Sequence, residues 1–282
     1  MTFIDLHTHT VASGHGTTDT IADLAKAAAS KGMRTLGVSD HGPRTPGAAA
    51  PSYFRSLRLA PRERAGVRML YGAEVNILDG GALDLPDEVL AGLDYVIASM
   101  HCPPRRVMLR DDDKIARQAH GDDGTVRQAL GGDGFYVQSY TPLAPQALRE
   151  ANTADYLAAI ANPYVRILGH CDNTQFPCDY ERIADACAAH HVIVELNEAS
   201  LTPGGYHQLS GVDTRENYRA LLRLCRERSL PVLLSSDSHG RARIGEVGRC
   251  EALAREAGYP RALLVNENPA LLETYRKQVS YR

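Results

Sequence analysis

Seven short runs rich in Val, Ile and Leu recur along this chain, and segments of helical period separate most of them. The runs are Phe3–Leu6, Thr35–Ser39, Arg68–Ala73, Tyr95–Ala98, Val165–Leu168, Val192–Leu196 and Pro231–Leu234. Each is bounded by Gly, Asp, Asn or Ser and is apolar without alternation, the pattern of parallel strands covered on both faces. Helices are predicted over Ile21–Lys31, with Gly32 as stop, and over Asp179–His190, Thr214–Arg228, Gly245–Ala257 and Pro269–Lys277. Such alternation predicts an α/β fold with right-handed crossovers. One stretch, Pro103 to about Pro145, breaks the rhythm and is rich in Asp and Gly, as in Asp111-Asp112-Asp113 and Gly131-Gly132-Asp133-Gly134. It reads as an insertion, either a lid or a solvated loop. With no repeat and no linker, residues 1–282 are expected to form a single domain carrying an insertion at about 103–145.

The histidines gather where the strands end. The first run leads into Asp5-Leu6-His7-Thr8-His9, the second into Asp40-His41-Gly42, the fourth into Ser99-Met100-His101 and the fifth into Gly169-His170. The third ends at Glu74, and the last leads into Ser236-Asp237-Ser238-His239. His15 follows on a Gly-flanked loop. On extended backbone, His-x-His puts both imidazoles on one face, and Asp237-Ser238-His239 does the same with a carboxylate and an imidazole. Glu74 has two oxygens and can bridge ions. Nine candidate metal ligands result: His7, His9, His15, His41, Glu74, His101, His170, Asp237 and His239. With Glu74 bridging they offer about ten bonds, so three ions would keep open positions, the mark of a catalytic site. Imidazole mixed with carboxylate suits Zn, and also Mn or Fe.

Asp5, Asp40 and Asn197 are expected behind the ligands, accepting an imidazole N–H or ordering a loop. Asp237 or His239 is placed to move a proton. Arg241, Arg243, Arg105 and Arg106 flank the ligand segments and could fork a phosphate. Cys102 and Cys171 directly follow ligands and should point away into packing. His120, His190, His191 and His207 carry no supporting spacing.

Composition narrows the classes. Lys+Arg number 31 against 34 Asp+Glu, Trp is absent and aromatics are 6%, which favours neither an obligate nucleic-acid partner nor base stacking. No apolar run approaches the roughly 18 residues of a membrane span, and the N-terminus does not read as a signal peptide. The six Cys lack close pairing and read as reduced thiols, so a cytoplasmic protein is expected.

The segments Asp5-Leu6-His7-Thr8-His9-Thr10, Asp40-His41-Gly42-Pro43, Gly72-Ala73-Glu74-Val75-Asn76-Ile77 and Ser236-Asp237-Ser238-His239 resemble the motifs of the PHP (polymerase and histidinol phosphatase) family. The resemblance spans nearly the whole chain outside the insertion and is greatest to the small stand-alone YcdX-like phosphatases. It implies a distorted (βα)7 TIM-like barrel with the metal site at the C-terminal ends of the strands. It also implies hydrolysis of a phosphate monoester or small phosphodiester by metal-activated water at a trinuclear site. By motif, His7, His9, Glu74 and Asp237 would hold one ion, Glu74, His101 and His170 the second, and His15, His41 and His239 the third. The expected partner is a small phosphorylated substrate. Two other readings begin from similar residues. An amidohydrolase-type C–N hydrolase also opens on His-x-His, but usually has a bridging Lys and a His after the sixth strand. A PHP-type 3'-5' exonuclease would need nucleic-acid contacts that the charge balance does not favour.

Overall fold

The computed structural model describes residues 4–101, 126–127, 139–140, 144–203 and 213–275. Seven parallel strands stand side by side in sequence order: β1 (Ile4–Asp5), β2 (Thr35–Val38), β3 (Val67–Asn76), β4 (Tyr95–Ser99), β5 (Ile167–Leu168), β6 (Ile193–Asn197) and β7 (Val232–Ser235). All seven predicted strands form. The main difference is β3, which continues to Asn76 because Glu74 and Asn76 still pair with Ile97 and Ser99 of β4. Glu74 therefore sits within a strand, fixed on both sides.

The sheet curls into a nearly closed barrel. Its inner face carries Ile4, Leu6, Leu70, Ile97, Ile167, Ile193 and Leu233, and Tyr95 crosses among them. Tyr95 donates its hydroxyl to Leu6 O at 2.6 Å. Two glycines make room for that ring. A Cβ on Gly37 would lie 2.2 Å from Tyr95 Oη and 2.8 Å from Leu6 Cα, and one on Gly72 would lie 2.7 Å from Tyr95 Cζ. The outer face (Leu36, Val38, Met69, Val96, Leu168, Val194, Leu234) packs under helices.

Among the described residues no ladder joins β7 to β1; side chains close that seam. Asn266 accepts from Leu234 N at 2.8 Å and donates to Leu234 O at 2.8 Å and Ile4 O at 3.0 Å. Asp5 accepts from Ser236 Oγ at 2.5 Å and Gly245 N at 2.8 Å. Above it, Thr8–His9 pairs in parallel with Ser238–His239, bringing His9 and His239 into register.

The helices are α1 (Ile21–Ser30), α2 (Pro51–Leu57), α3 (Asp87–Leu90), α4 (Pro145–Ala161), α5 (Tyr180–His190), α6 (Glu198–Leu201), α7 (Arg215–Glu227), α8 (Gly248–Glu256) and α9 (Pro269–Tyr275). A reciprocal Thr20–Asp23 capping box starts α1, and Asp179 caps α5. The sequence reading missed α4, whose stripe Leu148, Tyr156, Ala159 and Ile160 is interrupted by buried Asn152, Thr153 and Asp155. Those polar groups bind neighbouring loops: Asn152 donates to Pro177 O, Thr153 accepts from Asp179 N, and Asp155 accepts from Gly80 N. Of the expected insertion, only the antiparallel pair Val126–Arg127 and Ser139–Tyr140, and the residues from 144, are described. Cys102, Arg105, Arg106, His120 and His207 lie outside the described residues. Cys171 is buried in the outer core, as a packing residue should be. Among the described residues no helix is long and apolar enough to cross a membrane.

Candidate metal centre

Glu74 sits at the C-terminal mouth of the barrel, fully buried, with imidazoles on both of its oxygens. Its Oε1 lies 2.9 Å from His170 Nε2, 3.1 Å from His101 Nε2 and 3.2 Å from His7 Nε2. Its Oε2 lies 2.7 Å from His41 Nδ1 and 3.6 Å from His9 Nε2. Asp237 reaches in from beyond β7, its Oδ1 3.0 Å from His9 Nε2 and 3.5 Å from His7 Nε2. His239 stacks on His9 with ring centroids 4.3 Å apart. The outermost residue, His15, stacks on His41 at 5.0 Å and meets His239 at 4.8 Å. All nine candidate ligands, drawn from segments as distant as His7 and His239, thus share one cluster.

Donor atoms gather in three groups: His7, His9 and Glu74; His41, Glu74 and His101; and His9, His41 and His239. The family resemblance groups His41 with His15 and His239. Here His41 also touches Glu74, so it stands between the inner and outer parts of the cluster.

Several hydrogen bonds set which ring nitrogen faces inward. Ser13 Oγ donates its one proton to Asp40 Oδ1 at 2.7 Å, so at 2.9 Å it accepts from His9 Nδ1–H. Asn76 spends its amide protons on Thr45 Oγ1 and Asp84 Oδ2, leaving Oδ1 to accept from His101 Nδ1–H at 3.0 Å. His7 Nδ1 donates to Glu195 Oε1 at 2.5 Å. In each ring the proton is held at Nδ1 and the Nε2 lone pair points to the centre, the usual arrangement behind metal-binding imidazoles.

Behind the cluster, Asp40 and Asp5 order backbone segments, one of the two roles expected of them. Among the described residues Asp40 bonds to no imidazole; it accepts from Thr10 N, Thr10 Oγ1, Ser13 Oγ and Tyr53 Oη and acts through Ser13. Asp5 orders the β7–β1 seam. Asn197 does face the cluster, donating to Asp237 Oδ2 at 3.1 Å. Arg241 binds Asp19, and Arg243 binds Thr202 and Glu246, so each guanidinium already has a local partner. His190 ends α5 and His191 caps it in the left-handed region, both away from the cluster. Sequence reasoning missed Glu195, Ser13, Asn76 and Asp84. Glu195 alone left a signal, a carboxylate inside the apolar run Val192-Ile193-Val194-Glu195-Leu196.

Charges divide the cluster. Burial would lower the His170 pKa, but the hydrogen bond and charge of Glu74, with Glu195 behind, push it up to about 9. Burial and the neighbouring His239 bring His9 down to about 4. Burial would raise Glu74, but His101, His7 and His41 hold it well below the usual carboxylate range.

These residues fit divalent ions. His7 Nε2, His41 Nδ1 and Glu74 Oε2 are buried, and apart from the 2.7 Å approach of the last two to each other they make no hydrogen bond among the described residues. Buried groups left so cost about 1–3 kcal/mol each, which a bound ion would offset. The Nε2 atoms of His101 and His170 lie 3.2 Å apart. Two nitrogens on one tetrahedral zinc stand about 3.3 Å apart.

Comparison with known proteins gives the family and the fold. The PHP domain model matches residues 5–199. A protein named Probable phosphatase in Clostridium novyi (strain NT) is 31% identical, over 97% of this chain and 94% of its own length. A Thermoanaerobacter protein of the same designation is also 31% identical, over 98% and 94%. Among solved structures, histidinol phosphate phosphatase from Lactococcus lactis, crystallised with Zn, L-histidinol and phosphate, has the same fold. It superposes with a TM-score of 0.57 at 17% identity, over 92% of this chain and 95% of that one.

Proposed function

Since the chain belongs to the PHP domain family, we propose that it is a metal-dependent phosphatase that hydrolyses a phosphate monoester or small phosphodiester at a centre of three divalent ions, with zinc the best match. The observation that carries this reading is Glu74, one buried carboxylate with five imidazoles around its two oxygens. The relatives named as phosphatases support it, as does the Lactococcus protein that holds Zn and phosphate on this fold.

His7, His9, Glu74 and Asp237 would hold one ion, Glu74, His101 and His170 a second, and His15, His41 and His239 a third, with His41 close enough to Glu74 to serve the inner pair. Bound ions would neutralise phosphoryl oxygens and lower the pKa of water toward about 7. The protein's own part is placement. Ser13, Asn76 and Glu195 hold three rings with their lone pairs inward, so little reorganisation is needed when charge develops. Asp237 and His239 stand at the open side of the cluster, with side chains 10% and 27% exposed, where a proton can pass between substrate and solvent. Arg241 and Arg243, which follow His239, could fork a phosphate at the mouth only on leaving their partners Asp19, Thr202 and Glu246.

Hydrolysis of p-nitrophenyl phosphate is expected to vanish on chelation and return with Zn or Mn. Undiminished hydrolysis by metal-free protein overturns the reading.

A further inference from the structure

Four donors close on one carboxylate inside the barrel. Glu195 is fully buried on β6. Its Oε1 accepts from His7 Nδ1 and Ser235 Oγ, each at 2.5 Å. Its Oε2 accepts from His170 N at 2.8 Å and Asn197 Nδ2 at 3.2 Å. Asn197 gives its other amide proton to Asp237 Oδ2 at 3.1 Å and accepts from Ser200 N at 3.2 Å, so its own orientation is fixed. Two residues reached in this way carry backbone strain: His170 has φ +21° and Asp237 has φ +51°, conformations that a side-chain-bearing residue rarely adopts.

We infer that Glu195 is a positioning residue of the metal centre, holding the His7 proton on Nδ1, the His170 backbone in its strained turn and, through Asn197, the Asp237 carboxylate. The inference rests on the ligand set of the phosphatase reading. Its physical core is donor counting. Only an ionised carboxylate can accept all four hydrogen bonds, and it thereby ties together groups that follow β1 and β5 with groups on β6 and β7.

Glu195→Gln tests this without changing size. The amide oxygen must stay toward the His170 N–H, which cannot rotate, so the new NH₂ turns to Ser235 and His7. The Ser235 hydroxyl can swing to accept. His7 can accept only by moving its proton to Nε2, which withdraws the lone pair aimed at Glu74. Zinc affinity, measured by competition with a chromophoric chelator, is expected to fall about 10–100-fold in the variant. A folded Glu195→Gln protein that binds zinc as tightly as wild type, while wild type binds it normally, overturns this inference alone. Wild type that takes up no zinc overturns the ligand assignment and the inference with it. A second measurement needs no variant: zinc-loaded wild type, ¹⁵N-labelled at histidine, is expected to show a proton on His7 Nδ1. A His7 ring lacking it overturns the inference.

Discussion

Three inward-facing imidazoles, His7, His9 and His101, each depend on a partner that contributes only one atom. Ser13 is the most economical case, because its single hydroxyl joins Asp40 to His9 and also accepts from His41 N at 3.1 Å. Ser13→Ala removes that atom and leaves Asp40 bonded to Thr10 and Tyr53. The fold should survive, while zinc affinity in a chelator titration should drop about tenfold or more; an unchanged affinity would show that the His9 orientation is set elsewhere. At this scale the nine clustered donors were visible in the sequence because His-x-His, Asp-His, Asp-x-His and the single Glu74, His101 and His170 stand at the ends of apolar runs, with His15 on the loop after the first. The partners behind them were not. Ser13, Asn76 and Asp84 are ordinary loop or strand residues until folding sets them beside a ring, and nothing local distinguishes them.

The strands and helices that carry these residues were largely legible, since periodicity is a local property. What a period does not reveal is fit across the barrel. Gly37 and Gly72 lie inside two of the apolar runs, and only the fold shows that they leave the space Tyr95 occupies. Gly37→Ala should destabilise the protein by about 1–3 kcal/mol through overpacking, read as a lower urea midpoint with an unchanged m-value. A midpoint equal to wild type would mean that Tyr95 can move aside. Helix α4 was missed for a related reason. Its Asn152, Thr153 and Asp155 look like a solvated face, but they are buried and each bonds to a loop distant in sequence. The closure by Asn266 escaped notice as well, because one side chain there does the work of a ladder between β7 and β1.

For the molecule as a whole, the centre couples stability to pH. With its folded-state pKa pushed to about 9 from an ordinary 6.5, His170 binds a proton more tightly in the folded chain than in the unfolded one. Its contribution is complete below about pH 6.5 and is lost as pH rises through 9. Chelated protein should therefore lose unfolding temperature across that window. Zinc-loaded protein should not, because a coordinating imidazole carries no proton to lose. Parallel alkaline losses in both forms would refute the coupling. The sequence by itself determined the seven strands, five of the helices around them and the identity of the converging donors, because apolar period and residue type are written locally. Tertiary structure alone decided that His41 touches Glu74, that Glu195 faces into the barrel and that Asp40 acts through Ser13. Those relations depend on how distant segments are turned toward one another once the barrel closes.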